Sequence, residues 1–589
     1  MTDSDNSRID PADEIKPFER RFWDGADTIT KIGNGAIGGK ASGLALVRNI
    51  LARRFQREQF PSLELDVPTL TVITTEFYDR FMQDNNLYGE ILRDYRDDQI
   101  ALIFQKGELA PELVGDLRAL ISHFHTPLAI RSSSLLEDAM REPFAGVYGT
   151  KMIPNNQPET DSRFQRLVEA IKFVYASTHF RKARNYLKST RKAPSAEKMA
   201  VIIQEVVGRR HNGRFYPDIS GVARSINHYP TGHATPEQGV VSLALGLGKT
   251  IVDGGQVWSY APSYPRAMPP VRSLANLAKM SQATFWAVNM GKPPAHDPIK
   301  ETEYLVRLDL KEAEWDGTLA LTASTYQPQN DRLVTGIGQE GIRVVTFAPL
   351  LSARLFPLND LLKHLIQISA EEAGSDIEME FAMTFSRENN AVKCRLGYLQ
   401  LRPMATRDKE ISLSNAEMQS EKVIVRSSQV MGNGIIEGIT DIVYVKPEMF
   451  KLSETTRIAE EVELLNQRLS ELERPYLLIG FGRWGSSEPW LGVPVDWSQI
   501  SGARAIVEAI LPDLDIEPSQ GSHFFHNLVS FQICYLTVQH NGEDRIDFDF
   551  LSRQQALTET TFIRHIRIQQ PLVIKVDGRR GRGIVYRNE

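Results

Sequence analysis

The sequence predicts an α+β protein, with a large N-terminal domain over residues 21–405 and a smaller α/β domain over 422–589. Three observations carry this reading. Residues 20–405 alternate strand-like and helix-like apolar patterns, as a domain built on large sheets does. A polar stretch, D-K-E-I-S-L-S-N-A-E-M-Q-S-E, then places a linker over 406–421. Beyond it, Ile458, Val462, Leu465, Leu469 and Leu472 recur at spacings of three and four, giving an amphipathic helix with Ser453 as N-cap and Pro475 as its stop. Residues 1–20 read as a polar, flexible start, and the large domain as two subdomains, about 21–195 and 196–405. Residues 423–445 read as two strands around Gly432-Asn433-Gly434.

Composition narrows the function classes. Net charge is −6, with no long basic run, so the electrostatic attraction that nucleic acid requires is not evident. Arg579, Arg580 and Arg582 are the only basic concentration and read as a solvated tail. Two cysteines, Cys394 and Cys534, are too few for a disulfide framework or a zinc site and are expected to be buried thiols. No stretch approaches the roughly 20 apolar residues that span a bilayer, and the first residues contain no apolar signal region. The cytoplasm is the expected location.

The most informative segment is 127–150, P-L-A-I-R-S-S-S-L-L-E-D-A-M-R-E-P-F-A-G-V-Y-G-T. An apolar strand delivers Arg131 into three hydroxyls, two acids follow, and Phe144-Ala145-Gly146 lets the backbone approach a neighbour closely. A guanidinium and serine hydroxyls bind phosphoryl oxygens through charge-assisted hydrogen bonds, and glycine removes the Cβ that would hold a ligand away. Gly38-Gly39-Lys40 precedes this segment, followed by Val67-Pro68 and then Ile73 to Tyr78; after it come a helical pattern over 171–186 and the strand-like M-A-V-I-I-Q-E-V-V over 199–207, with Ser220-Gly221-Val222 beyond. Glu380-Phe381-Ala382 and Gln400-Leu401-Arg402-Pro403 read as the last two strands, joined by a short hairpin.

In this order and spacing the motifs resemble the nucleotide-binding domain of the phosphoenolpyruvate synthase and pyruvate phosphate dikinase family, an ATP-grasp fold, over residues 28–405. The resemblance implies ATP and Mg²⁺ as cofactors. It places Lys40, Arg131, Ser132, Gly146, Thr150, Gln204 and Gly248 on the nucleotide, with Arg402 as the cation nearest the reacting phosphoryl group. Glu380 and Gln400 are the candidate metal ligands, since consecutive strands can present both on one face and magnesium takes oxygen donors. Glu378, two positions away, competes with Glu380; the family pattern E-F-A favours Glu380.

Two departures stand out. Gly246-Leu247-Gly248-Lys249-Thr250 is not a P-loop, because position 243 is leucine where the Walker pattern needs glycine. It matches the family's G-L-G-E, with Lys249 in place of a glutamate. The family's S-G-V-x-F-T reads S-G-V-A-R-S here, with Arg224 at a typically apolar position.

Family members continue into a swivelling domain whose histidine carries the phosphoryl group, then into a barrel that binds pyruvate or phosphoenolpyruvate. No such barrel is expected beside another domain after residue 405. Residues 422–589 read as a divergent swivelling phosphohistidine domain, with Ser522-His523 at a helix start and His523 as the candidate carrier, since neutral imidazole is nucleophilic near pH 7. The alternative is a core histidine beside two phenylalanines. Gly480 to Ser487, holding Arg483 between aromatic and hydroxyl groups, reads either as a site for an anionic acceptor or as a turn packed by Trp484 and Trp490. Two functions stay open: a phosphotransferase acting on a small-molecule or protein acceptor, or a silent ATP-binding regulatory protein.

Overall fold

The computed structural model describes residues 15–20, 28–88, 95–135, 137, 146–189, 197–269, 271, 273–353, 355–388, 391–404, 411–486, 488–510, 522–539 and 542–587. Asp138, Phe144, Ala145, Ser487, Gln520 and Gly521 of the sequence motifs, with residues 1–14 and 405–410, lie outside the described residues.

Two six-stranded sheets, together with a four-stranded and a three-stranded one, build the described N-terminal part. The first runs Lys16–Pro17, Ile29–Ile32, Leu70–Ile73, Met199–Glu205, Leu128–Ser134 and Thr150–Ile153. The second runs Trp258–Tyr260, Val240–Ala244, Ile219–Arg224, Ile377–Glu388, Ala391–Pro403 and Leu63–Asp66. Sequence order and sheet membership cross in both directions. Met199–Glu205, beyond the boundary read at 195, is an inner strand of the first sheet because its residues 199–203 are fully buried and need neighbours on both edges. Leu63–Asp66, from the other side of that boundary, pairs in parallel with Ala391–Pro403. The helix Gly38–Arg54 packs against strands of both sheets, Leu128–Ser134 and Ala391–Pro403, and buries Leu44, Ala45 and Val47 completely.

The C-terminal part is a ten-stranded mixed sheet. Its centre is parallel, Gly434–Val445, Tyr476–Phe481, Ala503–Ala509 and Cys534–Val538, and parallel neighbours require crossovers. The helix Thr455–Glu471 supplies one and His523–Ser530 lies in another. No described helix is long and apolar enough to cross a membrane.

Several local expectations change. Residues 15–20 are anchored rather than flexible: Ile15 and Phe18 are buried and Lys16–Pro17 pairs with Thr30 and Lys31. Ser453 sits in the 3₁₀ turn Leu452–Glu454 rather than capping the helix, and Leu472, beyond the helix end, is 56% exposed while the other four stripe residues are buried. Residues 423–445 form three strands, Val423–Ser427, Gln429–Met431 and Gly434–Val445. The stretch read as a linker contains the short helix Asn415–Met418, held to the C-terminal sheet by Lys575 on Glu417 at 2.6 Å and by Leu413 packing with Val423 and Ile584. The arginine cluster is no tail: it turns the hairpin between Ile563–Asp577 and Arg582–Arg587, with Arg580 on Ser412 and Arg582 on Asn415. Both cysteines are buried.

The two parts share one hydrophobic core. Phe531, after the His523 helix, stacks on Trp497 with centroids 4.7 Å apart and meets Tyr186 of the N-terminal part at 5.7 Å. Phe531→Ala is expected to destabilise by about 2 kcal/mol, below the range for a fully enclosed phenylalanine because the ring is only half-buried. Guanidinium melts followed by tryptophan fluorescence check this; an unshifted midpoint would show that the stack contributes nothing.

Candidate functional site

The site forms where the two sheets face each other. On the second sheet Glu380 pairs with Gln400 and Val222, while one pleat away Glu378 pairs with Arg402 and Arg224. The register slips between Glu380 and Phe381, leaving Leu399 as the extra residue of a bulge. Its carbonyl is thereby available to Arg131 of the first sheet. Arg131 Nη1 donates to Leu399 O at 2.8 Å and to Gln204 Oε1 at 3.2 Å, and Nη2 donates to Gln400 Oε1 at 2.8 Å. Glu380 Oε2 stands 3.7 Å from the same guanidinium.

A cavity of about 420 Å³ opens beside this junction. Lys40, Arg131, Gly146, Thr150 and Gln204 line it from one side; Gly248, Glu380, Gln400 and His523 complete the set of sequence-selected residues on its wall. Ala129, Met152, Val206, Leu247 and Leu305 give it an apolar end.

Ser132 and Arg402 are not on the wall. The three hydroxyls after Arg131 are fully buried and hold the protein's own loops instead of facing the cavity. Ser132 accepts from Lys40 Nζ at 3.1 Å and donates to Glu137 at 3.0 Å; Ser133 donates to Ile37 O and accepts from Ala41 N; Ser134 accepts from Glu137 N. Gly38, with φ +77°, is pressed so closely on Ser133 that a Cβ would lie 1.8 Å from its carbonyl oxygen, which is why the turn before Lys40 needs glycine. Arg402 is 1% exposed and gives Nη1 to Glu378 Oε1 at 2.8 Å.

Lys40 is 2.7 Å from Glu137 Oε1, so a buried carboxylate already faces its charge. Sequence reasoning passed over Glu137 as a partner, although its place in the hydroxyl-rich loop was the available signal. Lys182 was also missed; it lines the cavity from the helix Arg181–Ser189. Lys249 starts the short helix Lys249–Val252 and bonds Asp253 at 2.9 Å. Burial works against its charge, and the Asp253 and Glu301 carboxylates outweigh that and raise its pKa.

His523 is the first residue of its helix, with the Ser522 hydroxyl accepting from Phe525 N. Gly146, φ +65°, sits against the ring: a Cβ there would be 2.5 Å from Nδ1. The close approach read from Phe144-Ala145-Gly146 is thus an approach to this imidazole. Burial first, then the fields of Arg402, Lys40 and Lys182, hold the His523 pKa well below the usual range, leaving the ring neutral at pH 7. His523 is half-buried at the cavity wall, whereas His526, one turn on, is 1% exposed.

The glycine-rich 480–486 element forms part of the seam between the two parts. Arg483 Nη1 and Ser486 Oγ both donate to Gly254 O at 3.2 Å. Trp484 is buried and Trp490 is half exposed. Gly485 and Ser486 reach the cavity wall.

Among the described residues no cluster of three or more His, Cys, Asp or Glu could hold a metal alone. Glu380 and Gln400 offer two oxygen donors on paired strands, the kind of donor magnesium takes, although Gln400 Oε1 already accepts from Arg131.

Residues 34–423 match the family model described as pyruvate phosphate dikinase, AMP/ATP-binding domain. No curated protein matches the chain. With more than half of its length covered by that model, the chain belongs to the pyruvate phosphate dikinase AMP/ATP-binding domain family.

Proposed function

We propose that this chain is a cytoplasmic Mg-ATP-dependent phosphotransferase of ATP-grasp type that passes a phosphoryl group through His523 to a small-molecule or protein acceptor. The observation that supports it most is the meeting, on one cavity wall, of Lys40, Arg131, Glu380 and Gln400 with a neutral imidazole. Phosphoryl transfer depends on positioning and on neutralising charge that spreads over the equatorial oxygens. Arg131 is aimed by three acceptors on two sheets, so its guanidinium is oriented before a ligand arrives. Lys40 stands at a helix start, where backbone N–H groups add to its attraction for anions. The apolar end suits a base, and the charged end suits phosphates.

Glu380 and Gln400 are the residues that would hold magnesium, which when bound would supply positive charge against the phosphates. At His523 the unprotonated nitrogen's lone pair forms the N–P bond while the P–O bond to the nucleotide breaks, its electrons leaving with the nucleotide oxygen. The depressed pKa keeps that lone pair available at pH 7.

A second reading, a nucleotide sensor without turnover, draws on the pairing of Lys40 with Glu137 and of Arg402 with Glu378, which leaves two of the expected cations already facing carboxylates.

Incubation with radiolabelled ATP separates the readings. An acid-labile protein adduct absent in His523→Ala supports transfer through histidine, with ADP as co-product if the terminal phosphoryl group is taken, or AMP and phosphate if a diphosphoryl group is taken and water then cleaves its outer P–O bond; ADP without an adduct indicates a simpler kinase, and tight binding without product supports the sensor. Lys40→Ala and Arg131→Ala should each lower turnover about 10²–10³-fold, the loss typical of one preorganised donor. Gly146→Ala forces a methyl onto the His523 ring from a left-handed backbone; adduct formation at saturating ATP should fall at least tenfold in a single-turnover assay.

A further inference from the structure

Among the described residues the lysines and arginines on the cavity wall are Lys40, Arg131, Lys182 and Lys249, and they are not equally free to meet a ligand. Lys40 is 2.7 Å from Glu137 and Lys249 is 2.9 Å from Asp253. Arg131 directs its donors at Gln204, Leu399 and Gln400, with Glu380 3.7 Å away. Lys182 differs. It is exposed on the wall, and among the described residues it makes no ion pair and no side-chain hydrogen bond. Its three N–H donors can take an anion without first releasing a carboxylate.

The helix Arg181–Ser189 fixes where this cation stands. Lys182 and Tyr186 are one turn apart and so share a face, and both line the cavity. The buried Tyr186 ring meets Phe531, the residue after the His523 helix, at 5.7 Å. That packing holds Lys182 toward the His523 side. The fields agree with it: after burial, Arg402 and Lys40, the Lys182 charge also opposes protonation of His523, and it reaches Glu301 of the N-terminal part as well. The apolar end is made by other residues, Ala129, Met152, Val206, Leu247 and Leu305. A nucleotide with its base at the apolar end therefore extends its phosphates past Arg131 and Lys40 and presents the last of them where Lys182 stands.

We propose that Lys182 is a specificity-determining residue: its ammonium donates to the outermost phosphate of ATP, so that the cavity distinguishes a nucleoside triphosphate from a diphosphate or monophosphate. Because no internal ion pair has to be broken, the attraction is available in full to that phosphate. This inference rests on the ATP-binding half of the reading above and not on transfer to His523.

Calorimetric titration of the full chain with ATP, ADP and AMP, each with Mg²⁺, tests it in wild type, K182M and K182R. Methionine keeps much of the aliphatic stem and removes the ammonium. K182M should bind ATP about 10-fold more weakly, the effect of one charge-assisted hydrogen bond partly open to water, with ADP and AMP within about twofold of wild type. K182R, which keeps a cation with N–H donors, should hold ATP within about threefold of wild type. Thermal unfolding without nucleotide should be alike in all three proteins, since the residue is exposed. Equal losses for the three nucleotides, as from a distorted cavity, overturn the proposal. So does a loss that grows evenly from AMP to ATP, the mark of a long-range field, and so does K182M binding ATP as wild type does. Wild-type protein that binds none of the three overturns the nucleotide reading and this inference together, whereas ATP binding without a His523 adduct overturns only the transfer step.

Discussion

The Arg131 guanidinium is the contact on which the rest of the site depends. It projects from the first sheet and finds its acceptors on Gln204 of the same sheet and on Leu399 and Gln400 of the second. One planar group therefore sets the spacing of two sheets whose strands alternate along the sequence. A lysine could not take its place, because a single ammonium cannot present two parallel donors to Leu399 and Gln400. The bulge at Leu399 is the matching half of this device, turning a ladder carbonyl outward at the one point where the opposite sheet needs an acceptor.

A second layer of control comes from the C-terminal part, which is packed against the cavity and not tethered at a distance from it. Gly254 accepts from both Arg483 and Ser486, Arg307 meets Glu488 at 2.6 Å, and Phe525 lies over Arg224. These contacts place the His523 ring against Gly146. Among the described residues the polar share of that seam includes single hydrogen bonds and a partly exposed ion pair, interactions that each contribute little beside its apolar packing.

Much of this was legible in the sequence because the signals are local. G-G-K, R-S-S, Q-E-V-V and the E-F-A and Q-L-R-P strands each announce a residue type at the end of an element, and their order allowed nine residues to be chosen that line one cavity. What could not be read is what those residues touch. Nothing near Lys40 announces Glu137, 97 positions away. Ser132 looked like a ligand group because a hydroxyl beside an arginine suits a phosphate; in three dimensions it faces Lys40. Gly146 declared a close approach without naming the approaching group, which lies in the other part of the chain. That Met199–Glu205 joins the first sheet was illegible for the same reason: a break in pattern shows where an element ends, not which sheet the next one joins.

The strand Leu63–Asp66 bears on how the chain reaches this state. It belongs to the second sheet through Ala391–Pro403, yet is flanked in sequence by strands of the first. During synthesis the early strand must wait for a partner more than 300 residues later, roughly 20–60 s at ordinary elongation rates. Throughout that interval the nascent chain exposes an unmatched β-edge, the circumstance in which chaperones engage. The second sheet is accordingly expected to close only after Ala391–Pro403 has been made, rather than strand by strand as the chain emerges.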